Sequence, residues 1–205
     1  FGETIFNLTS KDASAEVVFP LDGKHNILNA LAAAGVGISF GMTIAEIAES
    51  LGSVIAPPQR GEVMHFKDGF TVINDSYNSN PDALLSMVHT LFEGGLAYRR
   101  RIVVAGEMLE LGANAAEIHR KAGRSIAQAG VDVLIGVRGL AGGMVDEAIR
   151  AGISESEFAS DSDAAGELVA QLVRKGDVVL VKGSRGVRTE RVIEKLLEKF
   201  ELDNQ

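Results

Sequence analysis

The chain has 205 residues, of which 46% are hydrophobic, and carries a formal net charge of −8 at pH 7. This length allows one full domain and part of another, with a sizeable buried core. The acidic balance argues against nonspecific nucleic-acid binding, because a phosphate backbone attracts basic surfaces. The absence of cysteine excludes disulfides and thiolate zinc sites, and it fits a reducing cytoplasm.

Targeting signals are also missing from the sequence. No apolar run reaches the roughly 18 residues that suggest a membrane span. No signal peptide is visible. Because the chain begins at Phe1 rather than at methionine, we expect the natural N-terminus to lie further upstream.

The first elements are predicted to be short strands followed by a helix. Loose alternation over residues 5–21 predicts the strands, with a turn near residues 10–13. A helix is predicted over about residues 25–34, which are rich in alanine. Gly35 and Gly37 should weaken and end it.

A second helix and a linker follow. Thr43 and Glu46 have the spacing of a capping box, which predicts a helix over residues 43–51. Pro57 and Pro58 suit no helix interior and mark a linker. We therefore place a domain boundary there, with domains at residues 1–57 and 58–205.

After the linker, strand and helix patterns alternate. This alternation, with apolar strands such as Ile102-Val103-Val104, predicts an α/β fold: a Rossmann-like, mostly parallel sheet with helices on both faces. The strands are predicted at residues 62–66, 70–74, 101–105, 131–137, 157–159 and 177–182. The helices are predicted at residues 81–91, 115–129, 140–151, 162–174 and 189–200.

Three polar or glycine-rich segments follow predicted strands, at residues 75–80, 106–112 and 183–186. Ligands of such folds bind at the carboxyl ends of the strands. These segments are therefore the candidate site. Neither a GxxxxGK[ST] phosphate loop nor a GxGxxG fingerprint occurs in the sequence.

The first segment contains the most varied polar chemistry. Asp75 could accept hydrogen bonds from two ribose hydroxyls, and Tyr77 could stack on a ligand. Asn78 and Asn80 offer amides that both donate and accept. The alternative is a turn with a helix cap, which alone would explain Asn80 and Pro81.

The other two segments allow an anion site and an acidic loop. Ser184 and Arg185 could seat a carboxylate or a phosphate, or could belong to a simple β–α turn. Lys182 could be a second anion contact or a solvated strand end. Glu107 and Glu110 could bind an ammonium group or a metal ion, or could be solvated acids of an ordered loop. His119 is predicted to be structural.

These motifs occur together in an order that resembles the Mur ligases. Gly-Lys-His-Asn-Ile-Leu-Asn-Ala over residues 23–30 resembles a helix of their central ATPase domain, and Arg60 resembles the arginine that opens their C-terminal domain. Asn-Asp-Ser-Tyr-Asn-Ser-Asn-Pro over residues 74–81 resembles the signature of the branch that joins D-alanyl-D-alanine to UDP-N-acetylmuramoyl-tripeptide. On this basis residues 1–57 would be a remnant of the central domain, and residues 58–205 the C-terminal domain.

The resemblance implies ATP-dependent amide-bond formation through an acyl phosphate, with Mg²⁺ held mainly by the rest of the central domain. It implies a cytoplasmic, monomeric enzyme of peptidoglycan precursor synthesis, and an inactive fragment. The implied site residues are Asn26 and Asn29 at the adenine, Arg60 at the transferring phosphate, Asp75 at the ribose, Tyr77, Asn78 and Asn80 along the cleft, and Ser184 and Arg185 at the dipeptide carboxylate.

Two other readings remain open from the sequence. One is a sibling ligase that adds an amino acid, or a folylpolyglutamate-type ligase, against which residues 77–81 argue. The other is a non-catalytic Rossmann-like module that binds a small anion or a partner protein. It would explain the missing phosphate loop without requiring a larger protein.

Overall fold

The computed structural model describes residues 3–21, 24–55, 57–92 and 98–203. The chain forms two compact units, Phe1–Pro57 and Pro58–Gln205. Each unit has its own hydrophobic core. None of the helices in the described ranges combines the length and apolar character needed to cross a membrane.

The first unit is a β-hairpin packed against two helices. Strands β1 (Thr4–Thr9) and β2 (Ser14–Phe19) pair antiparallel, and helices α1 (Lys24–Ser39) and α2 (Ile44–Gly52) follow. The core of this unit gathers apolar side chains from all four elements, among them Leu8, Val17, Ala30 and Ile47. The capping box predicted for α2 is confirmed, with Thr43 and Glu46 exchanging hydrogen bonds.

The prediction that α1 ends at its glycines is wrong. The helix continues through Gly35 and Gly37 to Ser39. A Cβ at position 37 would lie 3.1 Å from side-chain atoms of Ile47, so α1 and α2 pack closely at this glycine. Tertiary packing thus outweighs the cost of about 1 kcal/mol for a glycine in a helix interior.

The second unit is the predicted α/β domain, and its fold class is confirmed. A six-stranded sheet has the order β3-β4-β8-β5-β6-β7, in which only β3 runs antiparallel to its neighbour. Its strands are β3 (Glu62–His65), β4 (Thr71–Asp75), β5 (Arg100–Gly106), β6 (Val133–Val137), β7 (Glu155–Ala159) and β8 (Asp177–Lys182). Its helices are α3 (Pro81–Thr90), α4 (Ala115–Gln128), α5 (Ala141–Arg150), α6 (Ser162–Leu172) and α7 (Glu190–Lys199).

The last strand of the chain occupies the middle of the sheet. Every residue of β8 is buried, and the strand lies between β4 and β5. Its apolar residues Val178 to Val181 are buried on both faces of the sheet, as expected for a central parallel strand. This insertion creates a change of strand order, the position at which ligands bind in open α/β sheets.

Helices α4 and α5 approach each other at Gly123. A Cβ added there would lie 2.0 Å from the backbone oxygen of Met144, and that oxygen cannot move without shifting α5. Gly143, also within this helix pair, differs because a Cβ there would meet only Arg120 Cγ at 3.7 Å. Gly143 is therefore a control position for substitutions at Gly123.

We expect Gly123→Ala to lower the free energy of unfolding by about 1–3 kcal/mol, because overpacking forces the helices apart. Gly143→Ala should instead be neutral or stabilise the chain by up to about 1 kcal/mol through helix propensity. Urea unfolding of both variants measures the difference. Equal stabilities would show that α4 and α5 can separate without cost.

Candidate functional site

The candidate site lies where β4, β8 and β5 end side by side. In the parallel register Asp75 of β4 pairs with Lys182 of β8, and Lys182 in turn pairs with Ala105 of β5. The three polar segments predicted from the sequence leave these strand ends, so they share one rim of the sheet. We call this rim, formed by residues 59–61, 75–80, 106–112 and 183–188, the carboxyl rim.

A buried ion pair fixes the centre of the carboxyl rim. Lys182 Nζ lies 2.5 Å from Asp75 Oδ2, and the two side chains are 5% and 14% exposed. The same ammonium donates to the carbonyl oxygen of Asn78 at 3.0 Å. Lys182 is therefore neither a solvated strand end nor a simple anion contact: it orients the Asp75 carboxylate and the loop that follows it.

Ser184 joins the three loops that follow β4, β5 and β8. Its hydroxyl accepts a hydrogen bond from the Leu109 N–H at 3.0 Å and donates to the Ser79 carbonyl at 3.3 Å. The residue is 4% exposed, so these contacts engage a hydroxyl that solvent barely reaches. The Ser79 hydroxyl is itself buried, with no hydrogen-bond partner within the described structure.

A tyrosine between two guanidinium groups forms the outer part of the rim. The Arg60 guanidinium carbon lies 4.3 Å from the centre of the Tyr77 ring, and that of Arg185 lies 6.0 Å away. Tyr77 is 45% exposed. None of the ion pairs within the described part of the chain involves Arg60, so its charge is available to an anion. The distances from both guanidinium groups to the Tyr77 ring allow cation–π attraction.

Gln59 holds this outer cluster together, and sequence reasoning missed it. Its backbone carbonyl accepts the Tyr77 N–H at 3.2 Å, and its side-chain Oε1 accepts a hydrogen bond from Arg185 Nη1 at 3.1 Å. Only its position next to Arg60 could have pointed to it, because one glutamine in a loop carries no motif.

Backbone strain is concentrated on the same side of the sheet. Four non-glycine residues of the described structure have left-handed φ values: Gln59 (64°), Glu110 (63°), Arg138 (67°) and Arg188 (62°). Each lies in a loop at the carboxyl end of the sheet. Strained residues of this kind persist where the surroundings over-determine them, and they cluster at functional sites.

The predicted asparagines lie in different settings. Asn78 is exposed, and its Oδ1 accepts the Ser79 N–H at 2.8 Å. Asn80 caps α3, since its Oδ1 accepts the Ala83 N–H at 2.8 Å. Asn26 and Asn29 lie on α1 in the first unit, where their side chains contact each other at 3.5 Å.

The acidic loop is ordered by contacts within the domain. Glu107 Oε1 accepts the N–H of Leu140 at 3.0 Å, next to the start of α5. His119 is fully buried and structural, as predicted. Its Nε2 accepts the Met108 N–H at 2.9 Å, and its Nδ1 lies 2.7 Å from the Ala115 carbonyl. A carbonyl can only accept, and Nε2 accepts the Met108 N–H, so Nδ1 carries the proton that is donated to the Ala115 carbonyl.

The carboxyl rim offers no set of metal ligands. Among the residues that the structure describes, no group of three or more histidine, aspartate or glutamate side chains could hold a metal ion. Asp75, the best placed carboxylate, is already paired with Lys182. The Mg²⁺ implied by the resemblance therefore does not fit this part of the chain alone.

A doubly wound α/β domain with cationic and carboxylate groups at its switch point has the arrangement of a domain that binds a small ligand. Residues 59–185 match the family model described as "Mur ligase, glutamate ligase domain", the C-terminal domain of these ligases. The chain belongs to this family.

Among the relatives of the chain are ligases that carry one common name. UDP-N-acetylmuramoyl-tripeptide–D-alanyl-D-alanine ligases are 33% identical to it in Escherichia coli and 34% in Mycobacterium tuberculosis. These alignments cover 95% and 94% of this chain, but only 42% and 41% of the relatives. The chain therefore spans about two fifths of the length of the relatives it matches.

Solved structures agree with the fold. MurF of Thermotoga maritima in complex with ADP is 26% identical, with a TM-score of 0.76 over 97% of this chain and 44% of that one. MurF of Acinetobacter baumannii has a TM-score of 0.84 over 96% of this chain and 43% of that one. At 24% identity, the second likeness shows the fold alone.

Replacing Lys182 should leave the Asp75 carboxylate buried without a partner. We expect Lys182→Met to lower the free energy of unfolding by about 3–5 kcal/mol, the usual cost of breaking a buried ion pair. Lys67→Met is the matched control, because the Lys67–Glu201 pair has the same 2.5 Å distance but side chains that are 59% and 77% exposed.

The control should change the free energy of unfolding by less than about 1 kcal/mol, as exposed pairs do. Urea unfolding followed by circular dichroism compares the two variants. If Lys182→Met cost no more than Lys67→Met, the ion pair would not hold the rim together.

Proposed function

We propose that this chain is the C-terminal part of an ATP-dependent ligase that joins D-alanyl-D-alanine to UDP-N-acetylmuramoyl-tripeptide. The names of its relatives support this activity. The observation that carries it is the carboxyl rim, where Arg60, Asp75, Tyr77 and Arg185 are held on one edge of the sheet by Lys182 and Gln59. This edge offers both a carboxylate for hydroxyl groups and guanidinium groups for anions.

The nucleotide side of the site consists of Asp75 and Arg60. Lys182 occupies Asp75 Oδ2, so Oδ1 is the oxygen that accepts hydrogen bonds from the ribose hydroxyls of ATP. Arg60 contacts the phosphates and stabilises the charge that develops on the transferring phosphoryl group. It has this role because its guanidinium is ordered by the Tyr77 ring without being neutralised by a carboxylate.

The acceptor side consists of Arg185 and the loop after β4. Arg185 seats the carboxylate of the dipeptide, and the exposed Tyr77 ring separates this anion from the phosphates. Asn78 and Asn80 line the same edge. Because the Ser184 hydroxyl is buried and engaged, Ser184 contributes by fixing the loop that carries Arg185.

The reaction then proceeds in two steps. The tripeptide carboxylate takes the γ-phosphoryl group of ATP, which gives an acyl phosphate and ADP. The neutral amine of the dipeptide attacks the acyl carbon, phosphate leaves, and the nitrogen loses a proton as the amide forms. This chain supplies positioning and charge stabilisation on one side of the reacting groups.

The first unit belongs to the ATP-binding part of the enzyme in this proposal. Phe1–Pro57 would be the end of the central domain, with Asn26 and Asn29 near the adenine, and Pro58–Gln205 the C-terminal domain.

Several large apolar side chains of α1 and the loop after it are exposed, namely Leu28, Leu31, Val36, Ile38 and Phe40. The remainder of the central domain would cover them and supply the ligands for Mg²⁺. In this proposal the complete enzyme is a cytoplasmic monomer.

The complete ligase, in which this chain is joined to the rest of the relatives' length, tests the proposal directly. We expect it to release phosphate from ATP with UDP-N-acetylmuramoyl-tripeptide and D-alanyl-D-alanine, and not with L-alanine or D-glutamate in place of the dipeptide. This chain alone should show no turnover, because it lacks a phosphate loop. Turnover by this chain alone, or a preference for a single amino acid, would contradict the proposal.

Arg60 should act in the chemical step. In the complete ligase we expect Arg60→Ala to lower kcat by roughly 10²- to 10³-fold, the usual effect of removing one group that stabilises transition-state charge. Arg120→Ala is the control, because among the described residues Arg120 forms an ion pair only with Glu117 on α4, and both side chains are exposed. Steady-state kinetics separates the two, and equal kcat values would remove Arg60 from the mechanism.

A further inference from the structure

Gln59 makes two contacts that the proposed roles of its neighbours do not explain. It precedes Arg60, its carbonyl accepts the Tyr77 N–H, and its side chain accepts a hydrogen bond from Arg185. One residue thus links the group assigned to the phosphates with the group assigned to the dipeptide.

The backbone of Gln59 is held in an unfavourable conformation. Its φ of 64° lies in the left-handed region, which costs a non-glycine residue of this type about 1 kcal/mol or more. Glycine would adopt this conformation freely. The side chain therefore contributes something that glycine could not, and its hydrogen bond is the one that it accepts from Arg185.

Arg185 needs such a contact because little else holds it. Its side chain is 61% exposed, and it has the large rotamer freedom of a long cationic side chain. Glu190 Oε1 lies 3.6 Å from Arg185 Nη1, beyond normal hydrogen-bond length, and the Tyr77 ring is 6.0 Å away. The contact with Gln59 at 3.1 Å is the short, directional one.

We propose that Gln59 is a positioning residue for the acceptor dipeptide: it orders the Arg185 guanidinium beside Tyr77 before the dipeptide carboxylate binds. This inference rests on the proposed function, in which Arg185 receives that carboxylate. Gln59 itself touches no substrate. Gln59 acts through Arg185, so it affects the affinity for the dipeptide and leaves the binding of ATP unchanged.

The test is Gln59→Gly in the complete ligase. Glycine keeps the carbonyl for Tyr77 and relieves the backbone strain, so only the amide is lost. We expect the KM for D-alanyl-D-alanine to rise roughly five- to tenfold, as for one exposed hydrogen bond to a charged group. The KM for ATP and kcat should stay within about twofold, and the melting temperature should not fall. Gln59→Asn, which tolerates positive φ but is one methylene too short to reach Arg185, should behave like Gln59→Gly.

A double variant separates positioning from a general structural effect. Gln59→Gly combined with Arg185→Ala should raise the KM for the dipeptide no more than Arg185→Ala does alone, since Gln59 acts only through Arg185. If the double variant raised the KM by the product of the two separate effects, the inference would be overturned. So would an unchanged KM in Gln59→Gly while Arg185→Ala raises it, and this result would leave the proposed function standing. If Arg185→Ala also left the dipeptide KM unchanged, the assignment of the dipeptide site itself would fail.

Discussion

The candidate site depends on one buried ion pair between the ends of two neighbouring parallel strands. Asp75 ends β4 and Lys182 ends β8, and their pairing in register brings a carboxylate and an ammonium group to 2.5 Å. Burying two charges is costly unless each is paired and hydrogen-bonded. Lys182 meets this condition because it also donates to the Asn78 carbonyl. The pair therefore fixes the loop that carries Tyr77 and Asn78 as well as the carboxylate itself.

From this ion pair, hydrogen bonds connect the rest of the rim. Ser184 connects the loops that follow β4, β5 and β8, and Gln59 connects the start of the domain to Tyr77 and Arg185. The buried centre is thus rigid, while the outer guanidinium groups stay accessible. In the proposed function, this division suits a site that must hold the ribose of ATP in place and still admit a second, small substrate. Preorganised charge of this kind costs little reorganisation during the reaction.

Much of the fold could be predicted because its sequence signals are local. Apolar runs, capping residues and glycine turns locate the β-strands and α-helices that the structure describes in the second unit, and parallel topology brings the polar ends of the strands together. The error at Gly35 and Gly37 has the opposite origin: α1 continues because Gly37 packs against Ile47, a tertiary contact that no local pattern reveals. The placement of β8 between β4 and β5 is likewise a property of the whole sheet.

The candidate site shows the same difference between local sequence signals and contacts that only the folded chain creates. Asp75, Tyr77 and Arg185 could be proposed from a motif and from their position after strands. The partner of Lys182 could not, because Asp75 lies 107 residues away and becomes a neighbour only through strand order. Gln59 was missed because neither its positive φ nor its two contacts leave a trace in residue type. Ser184 illustrates the reverse case, in which a residue suited to ligand binding is buried and used to join loops.

We have proposed that the carboxyl rim is one side of a nucleotide and dipeptide site. A crystal structure of the complete ligase with a non-hydrolysable ATP analogue tests this proposal. We expect the ribose hydroxyls at about 2.6–3.2 Å from Asp75 Oδ1, with the Lys182–Asp75 ion pair intact and the Arg60 guanidinium on the phosphates. An analogue bound elsewhere, with Asp75 and Arg60 both away from it, would show that the carboxyl rim is not the nucleotide site.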